Sequence, residues 1–203
     1  DFEATAKKMV QAACQELIAE EPKLTQYDTI VGDGDCGITM KRGATEIQKR
    51  VESGELKTEH PVTMFATIAD AVSASMGGTS GVLLELMFRK MSSSLAREEK
   101  IGVAELQRVL RTGTDAVIFY GGADVGSRTM LDALVPASEA LMAVGLEAAA
   151  KKAQEGADST AQMQTASAGR SNYLSADTLT GTPDPGAVAV SLVLQKLAAT
   201  LAS

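Results

Sequence analysis

The chain has 203 residues, 45% of them hydrophobic, enough to bury a core and to argue against a disordered polypeptide. Only 3% are aromatic, and a net charge of −7 with a pI near 4.8 excludes a nucleic-acid face built on clustered Lys and Arg. Ala, Leu, Val and Met must build the core, which is a helical composition poor in strand formers.

In chain order, residues 2–18 put Met9, Val10, Ala13 and Leu17 on one stripe and form the first expected helix. Helices are expected next over 38–51 and 62–75. Between 81 and 95 apolar residues cover most of the circumference, which predicts a helix more buried than its neighbours. The stretch 103–120 repeats the amphipathic pattern with Val103, Leu106, Leu110, Val117 and Tyr120. Further helices are expected over 128–144, 146–164 and 187–201, each bounded by Gly, Pro, Ser or Thr. About eight helices with no alternating strand pattern predict an all-α single domain over 1–203.

The most apolar stretches, 82–88 and 187–194, are far shorter than the roughly 20 residues of a membrane span, so none is expected. The start at Asp1 carries no signal-peptide pattern, and the missing Met hints at a piece of a longer polypeptide. Cys14 and Cys36 are too few for a disulfide framework or a four-ligand zinc site. They suit a reducing compartment, and a cytoplasmic location is expected.

The chemistry concentrates in the joints. Residues 24–37, Leu-Thr-Gln-Tyr-Asp-Thr-Ile-Val-Gly-Asp-Gly-Asp-Cys-Gly, hold Asp28, Asp33 and Asp35 within eight positions. Carboxylates brought together repel unless a cation sits among them, and hard oxygens select Mg²⁺ or Ca²⁺ over zinc. A single Asp there would be explained equally well by helix capping; three interleaved with Gly are not. Gly32 to Gly37 satisfies the G-x-G-x-x-G string, but no βαβ unit surrounds it and two acids would repel a bare pyrophosphate. An EF-hand counted from Asp33 fails at Ile38 and Ala44, where Gly and Glu are needed. What remains is a metal held by three Asp, next to a helix start at residues 36–39 whose N–H groups favour an anion. Metal and anion together mean a Mg²⁺-bound phosphate.

Gly77-Gly-Thr-Ser-Gly81 offers backbone and hydroxyl donors to phosphates, or is a tight helix crossing; no Lys follows in the P-loop pattern. Met130 can face a flat ring or pack in the core. Arg170, in Gly169-Arg-Ser-Asn-Tyr173, can stabilise charge on a transferring phosphoryl group or pair with surface acids. Asp184-Pro-Gly186 is a turn before the last helix. The single histidine, His60, lies in a polar connection, so Ser-His or Cys-His catalysis lacks support.

Leu24-Thr25, Asp28, Gly32 to Gly37, Gly77 to Gly81, Ser127-Arg-Thr-Met-Leu-Asp132, Gly169-Arg-Ser171 with Tyr173, and Asp184-Pro-Gly-Ala187 together resemble the ATP-binding domain of dihydroxyacetone kinases. The resemblance runs in order from about residue 10 to 200. It implies a closed up-and-down barrel of eight antiparallel helices with ATP or ADP at one rim. It also implies two Mg²⁺ ions on Asp28, Asp33 and Asp35. Phosphate contacts would come from Cys36, Gly37, Ile38, Thr39, Gly78, Thr79 and Ser80, with Gly121, Met130, Arg170, Asp184, Pro185 and Gly186 around the rest of the nucleotide. The ketose would be held by a separate substrate domain.

The phosphotransferase-linked branch of that family, which keeps ADP fixed, has His after the second Asp of the loop; Cys36 stands here, as in the ATP-dependent branch. Alternatives are that ADP-holding subunit, a non-enzymatic helical interaction module, and a metal-dependent nucleotide cyclase or lyase.

Overall fold

The chain coils wherever apolar residues recur at helical spacing, and the structure, a computed structural model, describes residues 1–166 and 174–203. Its helices are α1 (Phe2–Ala19), α2 (Glu21–Val31), α3 (Cys36–Ser53), α4 (Pro61–Ser75), α5 (Gly78–Leu95), α6 (Val103–Gly121), α7 (Leu131–Ala143), α8 (Leu146–Thr160), α9 (Ala176–Leu179) and α10 (Pro185–Ala202). The protein is all-helical, with no strand among the described residues.

Each expected helix has a counterpart, but the count of about eight does not hold: among the described residues two more helices stand beside them. The short α9 was not expected. More consequentially, α2 occupies what the sequence suggests is a loop, so Asp28 sits on a helix rather than in a turn. The buried face of α2 is Leu24, Asp28 and Val31, and an acid at the middle position hides the apolar period. Several boundaries also move: α3 starts at Cys36 and α5 at Gly78, two and three residues early, α8 ends at Thr160, four residues short, α7 starts at Leu131, three residues late, after Arg128 at φ 65°, and α10 starts at Pro185, a residue type pre-set for the first helical turn.

Helix α1 packs on α3 and α10; α3 packs on α4, α4 on α5, α5 on α6, α6 on α7, α7 on α8 and α8 on α10. Helix α2 lies against α3 and α10. Leu24, Leu131 and Leu179 are essentially inaccessible, and each such side chain stabilises the fold by about 1.5–3 kcal/mol. The most enclosed helix is α7, with Leu131 to Val135, Ala137 and Ser138 buried, and not α5, whose Val82 is exposed and whose Leu83, Leu84 and Leu86 are only half-covered.

Small residues set the closest approaches. Ala133 and Ala137 of α7 meet Ala149, Ala150, Ala153 and Ala157 of α8 in one cluster. Pro136 lacks an N–H and leaves the Asp132 carbonyl without its intrahelical donor. Gly156 of α8 lies directly on that carbonyl, where a Cβ would stand only 1.9 Å away.

Among the described residues one helix, α10, reaches the length and apolar composition of a membrane span, 18 residues at mean hydropathy 1.4, which alone is weak evidence of one. Its Ala187, Ala189, Ser191 and Leu194 are buried, and it packs on α1, α7 and α8, so one face of it belongs to the core.

Candidate functional site

The turn between α2 and α3 bends through Gly34 at φ 83°, a conformation Gly adopts without steric cost. This returns the chain so that the start of α3 meets the last turn of α2. The Asp28 carboxylate, 6% exposed, accepts from the backbone N–H of both Asp35 and Cys36 at 2.9 Å through Oδ2. It thereby caps α3 from seven residues upstream, a task that the side chain of Asp35 at the N-cap position does not perform. Its Oδ1 faces Gly32, where a Cβ would stand at 2.1 Å.

One carboxylate oxygen from each of Asp28, Asp33 and Asp35 lies within 4.8 Å of the others, with Asp28 buried and the other two exposed. Such a set of hard oxygens, open on one side to solvent, fits a divalent cation of the Mg²⁺ type. Gly37 holds α3 tightly on α2, since a Cβ there would stand 2.2 Å from the Glu21 carbonyl and the Thr25 hydroxyl.

Of residues 36–39 at the start of α3, the Cys36 N–H is spent on Asp28 and the Thr39 N–H on the Asp35 carbonyl. The N–H groups of Gly37 and Ile38 have no acceptor within the helix. Burial pushes the Cys36 thiol above its ordinary range, and the negative charges of Asp28, Asp184, Asp35 and Asp33 push it further. The same thiol therefore feels both the acidic triad and the N-cap of α10.

The other segments converge on this end. Gly43 of α3 admits the Met76 thioether, placing the start of α5 beside the second turn of α3. Gly78, Thr79 and Ser80 are exposed at that start, where no side chain caps the helix and Gly78 has φ 71°. Gly121, the last residue of α6, touches Leu83. Met130 is half-buried against Gly186 at the start of α10.

Asp184 is buried, caps α10 by accepting from the Ala187 N–H at 2.9 Å, and donates its own N–H to the Thr160 hydroxyl at 2.7 Å. Burial pushes its carboxyl up to about 6, against the capping bond and the charge of Arg128, which lower it. Pro185 is buried beneath it. Arg170 lies outside the described residues, as do Gly169, Ser171 and Tyr173.

Three more residues shape this end: Asp132 and Arg128, which the sequence places in a motif without a role, and Thr160, which no motif marks. Asp132 accepts from the N–H groups of Gly126 at 2.7 Å and Thr129 at 2.9 Å and so shapes the loop before α7. Thr160 anchors the chain entering α10, and Arg128 is buried among these groups. A basic residue in a Gly- and Ser-containing joint gives no signal of burial.

Elsewhere the fold has a hollow of about 540 Å³ lined by His60, Val62, Leu95 and Leu106 among others, which contains none of the expected site residues. His60 itself is exposed and caps α4 through Nδ1, as its polar surroundings suggest.

A DAK2 domain model matches residues 30–199, and the chain belongs to that family. The dihydroxyacetone kinase of Citrobacter freundii is 38% identical over 98% of this chain, and dihydroxyacetone kinase 2 of Saccharomyces cerevisiae is 35% identical over 94%. The human triokinase/FMN cyclase is 32% identical over 96%.

The crystal structure of the C. freundii kinase superimposes with a TM-score of 0.84 over 97% of this chain and 34% of that one. The same kinase in complex with AMP-PNP and Mg²⁺ gives 0.79 at 35% identity, again over 97% and 34%. The chain thus spans about a third of the length of the curated relatives it matches.

Proposed function

We propose that this chain is the ATP- and Mg²⁺-binding domain of a dihydroxyacetone kinase of the ATP-dependent branch. Its substrate domain would hold a small ketose, dihydroxyacetone or a related triose, in the same or another chain. The observation that carries this reading is the meeting of three carboxylates within 4.8 Å beside the open N-terminus of α3. The complex of the C. freundii kinase with AMP-PNP and Mg²⁺ supports it.

Asp28, Asp33 and Asp35 would hold Mg²⁺, two ions on the family pattern, which when bound neutralises phosphate charge and aligns the terminal phosphoryl group. Asp28 orients both the acids and α3 by its paired backbone bonds. The N–H groups of Gly37 and Ile38 and the exposed donors of Gly78, Thr79 and Ser80 would take phosphate oxygens. Gly121, Met130 and the Asp184 to Gly186 turn would border the nucleoside, and Arg170 would face the transferring group. The order of helix neighbours returns from α10 to α1, which supports a closed barrel of eight long helices with α2 laid outside it.

The cysteine at position 36 supports ATP dependence over a permanently held ADP, and two free cysteines suit the cytoplasm. The name of the human relative favours a second use of the same site, internal attack within a metal-bound nucleotide.

Calorimetric titration with ADP and AMP-PNP, with and without Mg²⁺, tests the reading. Metal-dependent binding is expected, and absence of heat with Mg²⁺ present refutes it. Protein that arrives with slowly exchanging ADP would instead favour the relay subunit.

A further inference from the structure

Arg128 stands apart from every other basic residue described. Its side chain is wholly buried, and it is the one non-glycine residue with positive φ among the described residues, at 65°. Its Nη2 donates to the Thr182 carbonyl, while Nη1 stops 3.9 Å short of Asp184 Oδ1. Among the described residues neither Nη1 nor Nε has a hydrogen-bond partner.

Three costs therefore meet at one residue: strained backbone, a desolvated charge and two unmet donors. Buried donors without acceptors are rare in folded proteins and call for a cause. The loop carrying Arg128 is fixed independently, by Asp132 bonding the N–H groups of Gly126 and Thr129, so holding that loop does not require the guanidinium. What the guanidinium alone touches is the chain from Thr182 to Asp184, which leads into α10 and, through Gly186, borders Met130.

We infer that Arg128 is a positioning residue of the nucleotide site: it holds the Thr182 to Gly186 turn against the α6–α7 loop, and Nη1 closes onto Asp184 when a nucleotide is bound. This deepens the proposed function and rests on it. In the nucleotide-free protein its bond to the Thr182 carbonyl and its distant pairing with Asp184 stand against a strained backbone, a desolvated charge and two unmet donors. A buried ion pair replaced by an apolar residue of similar volume is often neutral or stabilising, so the two roles separate experimentally.

The test uses Arg128→Met and Arg128→Lys beside the wild type, measuring thermal unfolding without ligand and the affinity for Mg²⁺–ADP by calorimetry. The Met variant should unfold at the wild-type temperature or above it. It should bind Mg²⁺–ADP at least tenfold more weakly, about 1.4 kcal/mol. The Lys variant, which keeps the charge but not the fork, should recover part of that loss.

A Met variant that fails to fold, or melts well below wild type, would make Arg128 a structural residue and overturn the inference. So would a stable Met variant with unchanged affinity, or a Lys variant no better than Met. If wild type itself gives no heat with Mg²⁺–ADP, the proposed function fails and takes this inference with it.

Discussion

Asp28 holds the start of α3 and belongs to the acidic triad, and replacing it by Asn separates these two tasks. With the three carboxylates within 4.8 Å, each pair repels by about 1 kcal/mol in a water-like dielectric and by more around the buried Asp28. Asp28→Asn removes two of the three pairs, a relief of at least about 2 kcal/mol. The Asn carbonyl can still accept from Asp35 and Cys36, losing about 1 kcal/mol of charge assistance at each bond. The terms nearly cancel, so in EDTA the variant should melt within about 3 °C of wild type, since 1 kcal/mol moves a domain of 203 residues by roughly 2–4 °C.

Mg²⁺ and ADP at about a hundred times their dissociation constant should stabilise wild type by about 2.7 kcal/mol, a rise of roughly 5–10 °C. In Asp28→Asn that rise should fall below about 2 °C, because an amide supplies no charge to the cation. Differential scanning fluorimetry with and without Mg²⁺–ADP reads both quantities. A variant that keeps the full Mg²⁺-dependent rise would show that the triad is not the metal site. A variant that collapses in EDTA would show that capping dominates repulsion and that the cancellation is wrong.

Two further outcomes follow from the same geometry. Gly32→Ala places a Cβ 2.1 Å from Asp28 Oδ1 and must displace that carboxylate, so Mg²⁺ titrations should show a loss of affinity of about tenfold or more, against little change if the oxygen can move freely. Asp184 has its carboxyl raised from the ordinary 3.8 to about 6, so between those values the folded state binds the proton more tightly than the unfolded one. Its charge therefore costs stability that sets in as pH rises from about 4 to 6 and persists above, up to about 3 kcal/mol. Asp184→Asn keeps a capping oxygen and should melt above wild type at pH 7.5 in EDTA, the advantage vanishing near pH 4. A difference constant across that range would refute the assignment.

The helical class, most of the long helices and the clustering of chemistry in the joints are legible along the chain, because amphipathic period, Gly and Pro act locally. The spacing of Asp28, Asp33 and Asp35 within eight positions also marks them as a candidate cation site, since like charges brought together need a counter-ion. That Asp28 rides on a helix is legible only in the folded chain. That carboxylate occupies the buried face where an apolar side chain belongs, and its partners are the N–H groups of α3, reached through the turn at Gly34. Likewise α5 is apolar over most of its circumference but lies half-covered, because burial depends on which helices pack around it. Arg128 is the extreme case: no local pattern marks a joint arginine for burial, and its place follows from Thr182 and Asp184, more than fifty residues away in the chain.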